Sequence, residues 1–143
     1  MVRGVSTSEL DDLLRRKGVR PTAKRTAVLA ELAREQDDAT AQALWQRLRA
    51  RGGETIGLAT VYRTLALLHE HGVVDALSHH EGERCYRLCG DQHHHHLVCE
   101  RCHRVVEVVD CDLGGWVDAV ARRHGFAAAE HHVEISGVCG ACR

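Results

Sequence analysis

At 143 residues the chain can form one ordinary domain or two small ones, and its net charge of −1 gives no global reason to expect a polyanionic partner. Residues 1–25 carry charges throughout and lack the apolar run of a secretory leader, and no stretch approaches a transmembrane span, so a cytoplasmic protein without membrane contact is expected. The halves differ in chemistry: residues 1–88 carry 14 Lys and Arg against 12 Asp and Glu, whereas residues 89–143 carry 5 against 8, with six of the seven cysteines and eight of the twelve histidines.

Taken in chain order, Ser6 or Thr7 can cap a short helix to about Lys17, ended by Gly18. Pro21-Thr22 opens a second helix with an apolar stripe of Val28, Leu29 and Leu32. Thr40 can cap a third, which carries Leu44, Trp45 and Leu48 and stops at Gly52-Gly53. A fourth runs from about Leu58 to His71, with Val61, Leu65 and Leu68 facing inward and Gly72 ending it. Val73–Leu77 and Arg84–Leu88 read as two strands around a polar turn, so the first half has the outline of a winged helix-turn-helix. Beyond residues 89–92, strands are expected at Leu97–Cys99, Arg104–Val109 and His131–Gly137, with one helix carrying Leu113, Trp116, Val117 and Val120. The whole is α+β: residues 1–88 a winged-helix domain, 89–92 a hinge, and 93–143 a small α/β domain.

Two CxxC knuckles, Cys99-x-x-Cys102 and Cys139-x-x-Cys142, each present two sulfurs in one direction, and together they can enclose one zinc ion tetrahedrally. Such a site has no open position and reads as a structural staple for a unit too small to be secure on its core alone. Metal is favoured over disulfides because the chain reads as cytosolic. In the extended run His93-His94-His95-His96, His93 and His95 point one way and His94 and His96 the other, so one strand can serve two metals.

Six basic residues and no acidic one fall between residues 15 and 25: Arg15, Arg16, Lys17, Arg20, Lys24 and Arg25. They suit phosphate neutralisation, although a solvated basic face is the plain alternative. On the fourth helix Thr60, Tyr62, Arg63 and Thr64 are expected to point outward, where Arg can read a guanine edge and Thr and Tyr suit methyl and phosphate contacts.

Three long stretches and the terminal knuckle resemble the ferric uptake regulator (Fur) family of metal-dependent repressors: Gly18–Arg25, Gly57–Leu65, His93–Glu107 and Cys139-x-x-Cys142. Within it, Val74-Asp75, Tyr86–Cys89 and the unbroken histidine run look most like the zinc uptake regulator branch of actinobacterial type. The resemblance implies a homodimer, joined through the C-terminal α/β domains, that binds double-stranded operator DNA and silences zinc-uptake genes when zinc is plentiful. It implies two to three Zn2+ per protomer and no small-molecule substrate. Cys99, Cys102, Cys139 and Cys142 would be the structural site; Asp75, Cys89, His94 and His96 a regulatory site at the hinge; and His93, His95 and His131 part of an additional sensory site. Where the family places a carboxylate two positions before the helix Trp, this chain has Gly114 ahead of Trp116. Asp110, Cys111 or Asp112 could take that place, with Asp112 and Cys111 favoured; otherwise water fills it, or the hinge site alone senses zinc.

Plainer roles are expected elsewhere: solvent or phosphate contact for His79 and His80, exposure for His132, structural roles for His103 and His124, and a strand position for Cys85. An enzyme is not expected, since neither HExxH nor the HxE…PCxxC pairing of zinc deaminases is present. Sensors of iron, manganese, nickel or peroxide, and a zinc buffer or metallochaperone, are the competing readings.

Overall fold

In the computed structural model residues 4–34, 38–78, 82–90 and 92–143 are described; His79 and His80 lie outside them. The chain divides into two units, Met1–Cys89 and Gly90–Arg143.

Local capping chemistry sets the first three helices. Helix α1 (Thr7–Arg16) starts with a capping box: Ser6 Oγ accepts from the Glu9 amide at 3.3 Å, and the Glu9 carboxylate accepts from the Ser6 amide at 2.7 Å. Thr22 caps α2 (Ala23–Ala33) through the Arg25 amide at 3.2 Å. Thr40 caps α3 (Ala41–Arg51) through the Ala43 amide at 3.1 Å, and Gly52 ends that helix at φ +67°, a conformation that favours glycine. Helix α4 (Leu58–Glu70) turns Val61, Leu65 and Leu68 inward onto a core that includes Leu10, Leu14, Val28, Leu29, Leu32 and Leu44. One charge is buried with them: the Glu31 carboxylate meets Arg34 Nη1 at 2.9 Å and Arg51 Nε at 2.5 Å, pinning the end of α3 to α2.

After α4, strands β2 (Val74–Ser78) and β3 (Arg84–Leu88) pair antiparallel, with Asp75 opposite Arg87. The expected two-stranded ribbon is in fact three-stranded. A strand of two residues, β1 (Ala39–Thr40), pairs with the other edge of β3, giving the order β1-β3-β2. Two residues are too few to show alternation, and Thr40 already reads as a helix cap.

The second unit is a three-stranded sheet with one helix. Strand β4 (His95–Cys99) runs antiparallel to β5 (Val105–Val108) and parallel to β6 (Glu134–Gly137), in the order β5-β4-β6, and α5 (Gly114–His124) connects β5 to β6. Strand β6 starts at Glu134, so His131 is not a strand residue as expected; it lies in the irregular stretch ahead of β6. The His96 amide nevertheless donates to the Val133 carbonyl at 3.1 Å, so pairing begins just beyond His131. His95, Val98, Cys99 and Val117 are buried, while Trp116 (66 %) and Phe126 (71 %) are largely exposed, as are Leu97, Val106 and Ile135 on the sheet.

Candidate metal centres and nucleic-acid face

The parallel pairing of β4 with β6 carries the two knuckles to the same end of the sheet, where Cys99 stands opposite Gly137. The first knuckle turns tightly because the Cys99 amide donates to the Arg104 carbonyl and the His103 amide to the Cys99 carbonyl, both at 2.9 Å. His103 adopts φ +61° there, so the turn itself accounts for it. In the second knuckle the Cys142 amide donates to the Cys139 carbonyl at 2.9 Å. All four thiols are free of disulfides, and their sulfurs lie within 4.8 Å of one another. The Cys102–Cys139 sulfur separation of 3.7 Å is close to the ~3.8 Å edge of a tetrahedron with zinc–sulfur bonds of about 2.3 Å. Backbone amides of Cys102, Cys139 and Arg101 hydrogen-bond the Cys99 sulfur and hold its thiol down at about 6, so it is mainly thiolate at neutral pH. Cys142 donates to Cys139 and Cys102 and is pushed up to about 12.

A second cluster forms on one face of β4. His93 Nε2 lies 3.2 Å from His131 Nε2, and Cys111 Sγ lies 3.0 Å from His95 Nε2 and 3.1 Å from His131 Nε2. The four donor atoms fall within 4.8 Å of one another. Of the three stand-ins for the missing carboxylate, Cys111 in the β5–α5 loop joins the histidines, whereas Asp110 and Asp112 are exposed and outside the group. Burial, then the neighbouring His93 and His131, lowers the pKa of His95 and keeps it in the neutral form that binds metals. The Val133 amide donates to His95 Nδ1 at 3.3 Å and fixes the ring. The opposite face carries His94 and His96 with ring centroids 4.9 Å apart, as alternation requires, and His94 Nδ1 lies 2.7 Å from the Gln92 carbonyl oxygen. His124 at the end of α5 and His132 are exposed.

Within the first unit, Asp75 on β2 accepts a hydrogen bond from the Cys89 thiol at 2.8 Å, just past β3. The Cys89 amide donates to the Val73 carbonyl at 3.2 Å and continues the ladder that aligns the pair. Cys85 is a buried strand residue whose thiol is pushed up to about 12 by burial and then by Asp38, which leaves it inert.

On α4 Tyr62 is 51 % exposed, and Arg63 is exposed with its Nη2 donating to Thr60 Oγ1 at 3.2 Å. Thr64 departs from expectation, since only 6 % of it is exposed. It falls at i+3 from Val61 in the series Val61, Thr64, Leu65, Leu68 and therefore faces the core. Among the basic residues, Arg16, Arg20 and Lys24 are exposed and Lys17 is half-buried. Arg15 pairs with Asp12 at 2.9 Å, and Arg25 donates to the Arg20 carbonyl at 2.9 Å, so part of the cluster braces α1 and its turn into α2.

The sequence profile of the ferric uptake regulator family matches residues 16–136, which include the first knuckle, the histidine run and helix α4. The chain belongs to the ferric uptake regulator family. Its members are transcription regulators and not enzymes. The chain is 46 % identical over 126 residues to the zinc uptake regulation protein of Mycobacterium tuberculosis, covering 88 % of this chain and 96 % of that one. Among solved structures it is similar to a zinc uptake regulator complexed with zinc and DNA, at TM-score 0.75 and 26 % identity over 96 % of this chain and 95 % of that one. The Vibrio cholerae ferric uptake regulator gives TM-score 0.63 and 29 % identity over 90 % and 98 % of the two chains. Among the described residues no helix is long and apolar enough to cross a membrane.

Proposed function

We propose that this chain is a zinc-responsive repressor, which binds double-stranded operator DNA as a zinc-loaded homodimer in the cytoplasm and represses genes of zinc uptake. The observation that carries this is the donor chemistry: thiol and imidazole groups dominate, with sulfur in both the four-cysteine cluster and the Asp75–Cys89 pair, a composition suited to zinc and poorly suited to manganese. The likeness to relatives named for zinc uptake regulation points the same way.

Cys99, Cys102, Cys139 and Cys142 form the structural site, and His93, His95 and His131 belong to the sensory site. Asp75, Cys89, His94 and His96 hold the regulatory ion, giving two to three ions per protomer. The working domains are residues 1–88 for DNA and 93–143 for dimerisation and metal sensing, with 89–92 as hinge. Zinc supplies a tetrahedral cross-link there when bound. Asp75 and Cys89 already touch within one unit, and His94 and His96 are already neighbours within the other. Their joint engagement fixes one unit against the other and so sets the spacing of two reading helices for successive major grooves. By linkage, operator DNA must tighten zinc in return. Tyr62, Arg63 and Thr60 face the groove, and Arg16, Arg20 and Lys24 face phosphates. The exposed apolar side chains of the second unit, Trp116 and Phe126 among them, suit the dimer contact.

The test is operator binding by fluorescence anisotropy in buffered zinc, with iron(II), manganese and nickel in parallel. Affinity should rise steeply with zinc alone, at levels where the four-cysteine site is already full. Asp75→Ala should keep that structural ion yet lose most of the zinc response. Normal operator binding by Asp75→Ala across the zinc titration would sink the hinge mechanism, and a response to another metal alone would overturn the zinc assignment. A buffer or metallochaperone would ignore replacement of Arg63, which should cripple a repressor.

A further inference from the structure

The cluster on the His93–His95 face contains a donor whose chemistry the zinc-repressor reading leaves open. We propose that the Cys111 thiolate is the fourth ligand of this cluster, making it a closed three-histidine, one-thiolate site that takes a borderline-soft tetrahedral cation and disfavours manganese. This rests on the metal-sensing reading and specifies the selectivity of one of its sites.

Three separate segments bring the donors together: the start of β4 supplies His95 and the residues just ahead of it His93, the β5–α5 loop supplies Cys111, and the stretch before β6 supplies His131. Contacts of 3.0 and 3.1 Å from the sulfur to two imidazole nitrogens, and 3.2 Å between His93 and His131, are spacings of a ligand shell. A tetrahedron with zinc–nitrogen bonds of about 2.0 Å and a zinc–sulfur bond of about 2.3 Å has edges of roughly 3.3–3.6 Å, so small side-chain adjustments suffice. Asp110 and Asp112 are exposed and stand outside the group. The anionic donor is therefore sulfur. A hard oxygen is what manganese favours, and its replacement by a thiolate shifts preference toward zinc.

Loading is a ligand exchange with a defined proton balance. The Cys111 S–H bond breaks, its proton leaves to solvent, and a metal–sulfur bond forms. The Val133 amide donates to His95 Nδ1, so in the metal-free chain the ring hydrogen sits on Nε2 and faces the sulfur. A cation held by Nε2 would require that hydrogen to move to Nδ1 and the 3.3 Å bond from Val133, the longest of these four contacts, to be released.

The experiment uses the full chain carrying Cys89→Ser, with zinc retained in the four-cysteine cluster and checked by native mass spectrometry. Cobalt(II) titration should then produce a near-ultraviolet sulfur-to-cobalt charge-transfer band. The further change Cys111→Ser should abolish the band and weaken zinc at this site by more than the ~10–100-fold typical of changes outside a coordination sphere. Cobalt binding without that band, a band that survives loss of Cys111, or no cobalt binding would each overturn the proposal. Should Cys111→Ser fail to fold, iodoacetamide labelling of Cys111 in the Cys89→Ser chain decides the matter, since zinc should slow it at least about tenfold. An unchanged labelling rate is the contrary result. Operator anisotropy of the unmodified chain separates the two ideas. A zinc-responsive chain with unprotected Cys111 defeats only the ligand assignment, whereas a protected Cys111 in a chain deaf to zinc defeats only the repressor reading.

Discussion

The two units solve the same stability problem by different chemistry. In residues 1–89 the helices and wing sheet converge on fully buried leucines and valines, with Leu14, Leu29, Leu44, Leu65 and Leu68 all inaccessible. In residues 90–143 few side chains are buried, and one of those few large ones is His95; Leu97, Val106, Ile135, Trp116 and Phe126 remain in solvent. A unit that small closes little apolar core of its own, and the proposed zinc and dimer contacts would supply what burial does not. On the proposed reading, metal dependence and an exposed apolar surface therefore belong together in the second unit. The first unit has a closed core of its own and, on that reading, presents α4 as a rigid reading helix.

The largest expected effect tests this contrast directly. Chelation of the four-cysteine site should remove a metal whose binding free energy is on the order of 10 kcal/mol in comparable structural sites. Hydrogen exchange should then show the amides of β4 to β6 losing protection while those of α2 and α4 keep theirs; equal loss in both units would break the comparison. Acid offers a milder route to the same end. The pKa of Cys99 is depressed to about 6, so its thiolate contribution is present above the ordinary thiol value of 9.0 and is lost as pH falls through 6. Zinc binds thiolates in competition with protons, so zinc release followed with a colorimetric chelator should grow as pH falls, with the helical signal of the first unit unchanged. Leu65→Ala should do the converse, costing about 2–5 kcal/mol in denaturant unfolding of the first unit and leaving zinc content untouched. The finest distinction lies along one helix. Arg63→Ala should weaken operator binding by about 1–3 kcal/mol without changing stability, whereas Thr64→Ala should lower stability by about 1 kcal/mol and leave operator affinity alone. If Thr64→Ala weakened DNA binding as much as Arg63→Ala, the orientation of α4 would need revision.

Much of the architecture was legible because its signals are local. Ser6, Thr22 and Thr40 each cap the helix that follows, since a side-chain oxygen needs only the amide two or three residues ahead. Val61, Leu65 and Leu68 face inward as their spacing demands. Thr64 was misread because a threonine is compatible with either face, and only the position of the core, not its own chemistry, decides. Strand β1 escaped notice because its two residues acquire strand character only through pairing with Cys85 and Tyr86. His131 was expected in a strand, yet it lies before β6 and still reaches His93, since a side chain can join a cluster from irregular backbone.

The ligand set divides along the same line. Residue type and spacing by themselves determined that two knuckles would pair as four sulfurs and that alternate histidines would part to opposite faces, because both follow from the geometry of a tight turn and an extended strand. Which residue would stand beside His93, His95 and His131 was not determined by sequence, because Asp110, Cys111 and Asp112 are adjacent and each carries a possible donor. The tertiary structure decided it: the path of the β5–α5 loop brings the Cys111 sulfur within 3.0 Å of His95 and leaves both carboxylates in water. A choice among neighbours in sequence turns on a direction in space, and that direction is set by the packing of distant segments.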